Sequence, residues 1–167
     1  MRMHVEVSMI ERQLEQIARN FLKKHYEMDL EIPVKRNNRL RTTLGRFVMS
    51  SDKKPLRIEI SGNTLEYGTK EAIIGILKHE CIHYALHRKG KASRDGHPYF
   101  ESELQKHGAP STNTWKIGKH YIYVCNCCGK ESESRLKQLM LTPSKYRTRC
   151  CNSKLAIVGE RIYDGTS

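Results

Sequence analysis

The 167-residue sequence has no apolar run of the roughly 18 residues that a membrane-spanning helix needs. Its first residues, MRMHVEVSMIERQ, also lack the basic and then apolar layout of a secretory signal peptide. Acidic residues are scarce, since 18 Asp and Glu stand against 30 Lys and Arg, and the net charge is +12 with neutral His. We therefore expect a cytoplasmic protein without a membrane partner, and nucleic acid is the first candidate for a polyanionic one.

Cysteine is almost absent from the first two-thirds of the chain, where Cys81 is the only one. The other five lie in the last third, at Cys125, Cys127, Cys128, Cys150 and Cys151. This clustering suits thiolate metal ligation in a reducing compartment better than a disulfide framework. We expect one domain over residues 1–110 and a small, basic, Cys-rich module over residues 111–167.

The first 61 residues carry a helical pattern followed by a strand pattern. Ser8 and Glu11 form a capping box before apolar residues at helical spacing, which predicts an amphipathic helix over about residues 8–25. Alternating apolar and polar residues over positions 30–61 predict a small sheet of about three strands. The fold class we expect is α+β, with helices packed on this sheet and a small β module after them.

Two further helices are predicted in the middle of the chain. Thr69 is a good N-cap, and residues 70–89 read as a helix that ends at Gly90 and is apolar nearly all round. A second helix is predicted over about residues 97–107. After it, alternating residues leading to Cys125 predict a short hairpin strand.

The first of these helices contains the motif HExxH at residues 79–83. Two imidazoles one turn apart lie on one face, about 6 Å apart along the axis, so His79 and His83 can share one Zn²⁺. Glu80 would then flank the metal and act as general base on a zinc-bound water that attacks a peptide carbonyl. The alternative is a chance match, or two histidines that are merely buried polar groups, which is costly without a partner.

A catalytic zinc needs a third protein ligand and an open position. The candidates in sequence are His87, His97, Glu101 and Glu103. His87 lies about 12 Å along the helix axis from His79, too far to share the ion. His97 follows a Gly-containing loop that can bring it back to the zinc, so we predict His97, with Glu101 as the substitute.

The ordered combination of motifs resembles the SprT-like family, a zinc metallopeptidase-like group that includes the Spartan proteases of DNA–protein crosslink repair. The residues that carry the resemblance are Leu44-Gly45-Arg46, the HExxH at 79–83, Asp95-Gly96-His97 with Phe100, Tyr123-x-Cys125 and the ending Cys151-Asn152-Ser153-Lys154-Leu155. The resemblance implies a minimal zincin-like metallopeptidase domain. It also implies zinc held by His79, His83 and His97, with Glu80 as the catalytic residue.

The cysteine tail opens with a CxxC-Gly turn, Cys125 to Gly129, in which two thiolates can bind a structural zinc. The family pattern would complete a zinc ribbon with a second CxxC, but Thr148 stands where its first cysteine would fall. Cys150 could serve with Cys151, or Cys127 could be recruited, or the module could be held by packing alone. The ligand set we predict is Cys125, Cys128, Cys150 and Cys151.

The tail is rich in basic residues interleaved with aromatic ones, a mixture that suits DNA, particularly single-stranded or distorted DNA. The predicted contacts are Lys116, Lys119, Arg147 and Arg149. The alternative is that these charges only form a solvated surface.

Together these features predict a zinc-dependent endopeptidase with one catalytic and one structural zinc. If the resemblance extends to function, its substrates are DNA-associated or DNA-crosslinked proteins. The competing hypothesis is a DNA-binding or regulatory zinc protein with little or no proteolytic activity.

Overall fold

The computed structural model describes the backbone of residues 2–112 and 114–166, and the side chains in these ranges from residue 10 onward. Over this part of the chain the helices are α1 (Arg2–Tyr26), α2 (Gly62–Tyr67), α3 (Lys70–Arg88), α4 (Pro98–Lys106) and α5 (Lys137–Leu141). The strands are β1 (Val34–Asn37), β2 (Gly45–Met49), β3 (Pro55–Ser61), β4 (Ile117–Cys125), β5 (Glu131–Ser134) and β6 (Leu155–Asp164). The predicted α+β class is confirmed, and none of the described helices is long and apolar enough to cross a membrane.

The first sheet contains the three strands predicted before residue 61, in the order β1-β3-β2. β1 runs parallel to the central β3, and β2 runs antiparallel to it. Val34, Ile58 and Ile60 are fully buried. β2 is an edge strand of this sheet, and no described strand pairs with its outer side.

Helix α1 begins earlier than predicted. The capping box placed its start at Ser8, but the helix already runs from Arg2, so Ser8 lies inside it and cannot be its N-cap. Residues 2–7 contain neither proline nor glycine, and nothing in them stops the helix. The predicted apolar stripe is confirmed at Leu14, Ala18 and Leu22, which are buried in the core.

Helix α3 lies at the centre of the molecule, between α1, β2 and α4. The Thr69 hydroxyl accepts a hydrogen bond from Ala72 N (3.1 Å), which confirms the predicted N-cap. Gly90 follows its C-terminus at a φ of +63°, a backbone conformation that favours glycine. Of its 19 residues, 11 are buried, among them His79 and Glu80. Polar side chains buried this deeply need hydrogen-bonding or charged partners, and the groups around His79 and Glu80 supply them.

The second sheet has the order β5-β4-β6 and is antiparallel throughout. The hairpin strand leading to Cys125 is confirmed but is longer than predicted, and β6 was not predicted. The second sheet and the residue after β5 contact the segments before α3 and β2. Thr69 N donates to Asp164 O (3.0 Å), and Arg135 Nη1 donates to Thr42 O. The boundary near residue 110 remains a prediction.

Glu59 on β3 makes the stability of the first sheet depend on pH. Its carboxylate is 5% exposed and accepts hydrogen bonds from Arg57 Nε (2.6 Å), Asn37 Nδ2 (2.9 Å) and Arg46 Nε (2.6 Å). Burial raises the pKa of Glu59, but these three donors outweigh it and lower the pKa from 4.5 to about 2.

Because the pKa of Glu59 is lower in the folded state, its stabilising effect is present above pH 4.5 and is lost as the pH falls towards 2. Both arginines are partly exposed, so we expect about 2 kcal/mol rather than the full value of the shift. Urea unfolding of wild type and Glu59→Gln between pH 2 and 7 measures it. The difference in unfolding free energy between the two proteins should shrink at low pH, and a constant difference would contradict this account.

Candidate metal centre and its cleft

His79 and His83 lie one turn apart on α3, and their Nε2 atoms are 3.1 Å from each other. The Nδ1 atom of His79 is 2.7 Å from Pro110 O, and that of His83 is 2.6 Å from Ser93 O. A carbonyl oxygen only accepts, so each Nδ1 must carry the proton. Both Nε2 atoms of the neutral rings therefore present lone pairs to the same point.

Asp95 completes this group, because its Oδ1 lies 3.3 Å from each of the two Nε2 atoms. The hydroxyl of Thr112 donates to the same oxygen and fixes its position. Three acceptors facing one another repel unless a cation lies between them. Burial, followed by repulsion between the two imidazoles, lowers the pKa of His83, against the opposing effects of Asp95 and Ser93 O.

The spacing of the three atoms fits a metal ion of the size of zinc. With ligands about 2.0–2.1 Å from the metal, the edges of a tetrahedron are about 3.3–3.4 Å long. The observed separations are 3.1, 3.3 and 3.3 Å. His79, His83 and Asp95 can therefore hold one metal ion and leave a fourth position open.

The structure does not place His97 with His79 and His83, and here it differs from the prediction. His97 is exposed and caps α4, with its Nδ1 accepting a hydrogen bond from Tyr99 N (3.2 Å). Gly96, at a φ of +76°, turns the loop so that Asp95 faces the histidines instead. The predicted substitute Glu101 is not there either, because its carboxylate accepts from Gly96 N (3.0 Å). The sequence feature that indicates this ligand is a carboxylate, Asp95, in the loop just before the predicted His.

Glu80 lies beside this group with only 6% of its surface exposed. Burial and then the charge of Asp95 raise its pKa from 4.5 to about 8, against the opposing effect of the Phe47 N–H. Gly45 of β2 lies directly behind it, since a Cβ at Gly45 would be 3.2 Å from Glu80 Cγ. A side chain at Gly45 would therefore crowd Glu80, which gives this glycine a structural role. The raised pKa of Glu80 places a carboxylate with high proton affinity next to the candidate metal centre.

These groups line a cleft of about 500 Å³. Its walls come from β2 and the loop before it, from α3, from the loop that carries Asp95, and from residues 110–112. Trp115 closes one side and packs on Gly75 of α3, where an added Cβ would be 2.8 Å from the indole ring. Arg135, the residue after β5, also lines the cleft.

A second cluster lies in the tail, where the sulfur atoms of Cys125, Cys128, Cys150 and Cys151 are all within 4.8 Å of one another. Cys128 Sγ lies 3.6 Å from Cys150 Sγ. A tetrahedral zinc with sulfur ligands at about 2.3 Å has edges of about 3.8 Å, so the group fits a metal ion. It is the predicted set of four residues, and Cys127 lies outside the cluster.

Two similar turns build the cluster. In the first, Cys125 N donates to Lys130 O (3.0 Å) and Gly129 N donates to Cys125 O (2.9 Å). In the second, Thr148 N donates to Ser153 O (2.9 Å) and Asn152 N donates to Thr148 O (2.9 Å). Thr148 thus occupies the position equivalent to Cys125, and Cys150 supplies the fourth sulfur.

Thr148 contacts the cluster without adding a thiolate. Its buried hydroxyl lies 3.2 Å from Cys125 Sγ. This hydrogen bond, followed by the backbone N–H groups of Cys128 and Cys127, lowers the pKa of Cys125 to about 6. A thiolate stabilised in this way is a good metal ligand near neutral pH.

Changing Thr148 to cysteine is expected to raise the zinc affinity of this cluster by about tenfold or more, because it restores the paired-turn arrangement and frees the vicinal ligand Cys150. Competition with a chromophoric chelator measures the affinity. In the Thr148→Cys background, Cys150→Ser should then cost little, whereas in wild type it should weaken binding strongly. Equal losses in the two backgrounds would contradict the role given to Thr148.

The residues predicted to contact nucleic acid differ in their surroundings. Lys116 pairs with Glu133, and Lys119 Nζ lies 3.1 Å from Glu160 Oε2, so both charges are balanced. Arg147 Nη1 donates to Ser144 O and Tyr146 O, both at 2.9 Å. Arg149 is exposed. The contacts of these four residues with DNA remain a prediction.

The family profile described as SprT-like matches residues 10–114. The chain is 34% identical over 124 residues to "Protein SprT-like" of Bacillus subtilis and 37% identical over 125 residues to that of Bacillus velezensis. Each alignment covers 71% of this chain and 78% of the relative. The protein of the same name from Staphylococcus epidermidis is 32% identical over 152 residues, covering 89% of this chain and 96% of the relative. No solved structure matches the chain.

Proposed function

The chain belongs to the SprT-like family, and on this basis we propose that it is a zinc-dependent endopeptidase of zincin-like fold. The observation that carries the proposal is the convergence of three acceptor atoms, spaced like the edges of a tetrahedron, beside a buried carboxylate of raised pKa. The donor set of two imidazoles and a carboxylate is one that zinc accepts in hydrolytic sites.

The zinc, when bound, polarises the substrate carbonyl and makes the attacking water more acidic. Glu80 takes the proton of that water on its carboxylate as the water attacks the peptide carbonyl, and later gives the proton to the leaving amine. Its deep burial strengthens both transfers, because few water molecules compete for the carboxylate. Pro110 O and Ser93 O hold the two imidazoles in the tautomer that directs Nε2 to the metal.

The polypeptide substrate would lie along β2, whose outer side lines the cleft. An extended peptide can pair with the free backbone groups of an edge strand, and this orients it without reading its sequence. Gly45 permits close approach of β2 to Glu80 and thereby brings the strand next to the reacting carbonyl.

We further propose that the basic tail brings the enzyme to proteins associated with DNA, especially single-stranded or distorted DNA. The support is the net charge of +12 on the whole chain and exposed tail residues such as Arg149. The zinc-loaded protein should cleave a DNA-binding protein faster when single-stranded DNA is present, and high salt should remove this gain. DNA binding without cleavage of any substrate would instead favour a regulatory zinc protein.

The third ligand is tested by two matched single changes, Asp95→Asn and His97→Gln. From the observed geometry, Asp95→Asn should lower the zinc affinity of the cleft site by about a hundredfold, and His97→Gln should leave it within about twofold. Isothermal titration of zinc into the apo-protein measures both. The reverse result would mean that the loop rearranges on metal binding and that His97 is the ligand, as the family resemblance implies.

A further inference from the structure

Arg135 is a cleft residue that directly follows β5 of the second sheet, whereas the candidate metal ligands come from α3 and from the loop before α4. It follows β5, and its Nη1 donates to Thr42 O in the loop before β2. Its Nε donates to His120 Nε2 at 3.2 Å. The guanidinium is thus held at the mouth of the cleft by bonds to two separate parts of the chain.

The position of Arg135 is supported by the buried side chain of His120 and by partly exposed groups behind it. A guanidinium only donates, so Nε2 of His120 must carry the lone pair and Nδ1 the proton. His120 is 4% exposed, and its Nδ1 lies 3.6 Å from Glu133 Oε1. Glu133 in turn accepts from Tyr163 OH at 2.6 Å and pairs with Lys116. Within the described residues Nδ1 of His120 makes no hydrogen bond, but the charge of Glu133 beside it favours the tautomer in which Nε2 accepts from Arg135.

Arg135 differs from the other basic residues of the cleft. Arg46 is paired with Glu59, and Arg94 is exposed on a loop. Among the residues that the structure describes, no carboxylate forms an ion pair with Arg135, and its Nη2 donors have no partner. A guanidinium held in place with donors to spare is suited to bidentate binding of a carboxylate.

We infer that Arg135 forms a subsite for an acidic side chain of the polypeptide substrate, on one side of the scissile bond. The inference rests on the proposed peptidase function and adds a sequence preference to it. A carboxylate is favoured over a nucleic-acid backbone because Arg135 is a single fixed cation, whereas a strand of DNA needs a row of cations along its path.

The test uses capped fluorogenic peptides that differ only by Glu or Gln at one position, scanned along both sides of the cleavage site. At one position wild type should prefer Glu over Gln by about tenfold or more in kcat/KM. Arg135→Gln should bring this ratio close to one, and Arg135→Lys should leave an intermediate ratio. Arg135→Glu should instead favour a Lys peptide. Because each value is a ratio measured on one protein, partial loss of folded enzyme cancels.

Arg12→Gln is the matched control, since Arg12 is an exposed arginine of α1 outside the cleft lining, and its ratio should equal that of wild type. The inference is overturned if Glu is favoured at no position, or if Arg135→Gln keeps the wild-type ratio. It is also overturned if affinity for single-stranded DNA is the only property that Arg135→Gln loses.

A second measurement separates this inference from the proposed function. Binding of the same peptide pairs to zinc-loaded Glu80→Gln protein, followed by fluorescence anisotropy, needs no cleavage. A Glu preference that disappears with Arg135→Gln supports the subsite even if wild type cleaves nothing. Equal binding of both peptides overturns the subsite even if wild type is an active peptidase.

Discussion

Changing Glu80 to glutamine is expected to lower kcat for peptide hydrolysis by roughly 10²- to 10⁴-fold, the range typical for loss of a general base. Glutamine has nearly the same shape but cannot take a proton from the attacking water. Glu80 is not one of the three groups that converge on the candidate metal position, so zinc binding should persist. Zinc titration measures metal binding, and steady-state kinetics on one peptide measure kcat, both on the same sample.

Glu103→Gln is a useful control for the Glu80 variant. Glu103 is a partly buried carboxylate that accepts a hydrogen bond from Tyr26 OH (2.8 Å) and is not one of the metal ligands. It should keep most of the activity. A Glu80→Gln protein that binds zinc and cleaves at the wild-type rate would contradict the role assigned to Glu80.

Changing His83 to alanine is expected to remove the cleft metal and, with it, all measurable peptide hydrolysis. The two imidazoles and Asp95 lie at the edge lengths of one tetrahedron, so loss of one ligand leaves only two protein donors. If both candidate groups hold zinc, wild type should contain two ions per chain and His83→Ala one. Plasma emission spectrometry on dialysed protein gives the counts.

Cys128→Ser provides the complementary control. It should also lower the count to one ion, but it should leave the cleft ion and cleavage of a short peptide in place, because the cysteine cluster is a separate group. An unchanged count in Cys128→Ser would remove the structural zinc from the account, and an unchanged count in His83→Ala would remove the cleft zinc.

The parts of the fold that were predicted correctly have strong local signals. Helix α3 follows from its Thr69 cap, its apolar residues and Gly90, and each of these signals acts on the few residues next to it. Helix α2 and strand β6 were not predicted. α2 has only six residues, and β6 exposes Val158 and Ile162, so its apolar pattern does not mark one buried face.

The residues of the candidate site also fall into those that a local sequence pattern predicts and those that it does not. His79, Glu80 and His83 lie on one helix, so helical geometry alone brings them to one end of the cleft. Asp95 and Arg135 reach the cleft through a glycine turn and through packing of the second sheet, and no local pattern encodes either. In the tail, the sequence identified Cys150 and Cys151 as one of several options. The equivalence of the two turns accounts for Cys151, whereas Cys150 joins the cluster through its 3.6 Å approach to Cys128 Sγ, a contact between residues far apart in sequence.

The most direct measurement is a time course of cleavage of a labelled, unstructured protein by the zinc-loaded chain, by the same sample after chelation, and by that sample after zinc is restored. Cleavage should stop with the chelator and return with zinc. No cleavage by the zinc-loaded protein, with or without single-stranded DNA, would contradict the peptidase assignment.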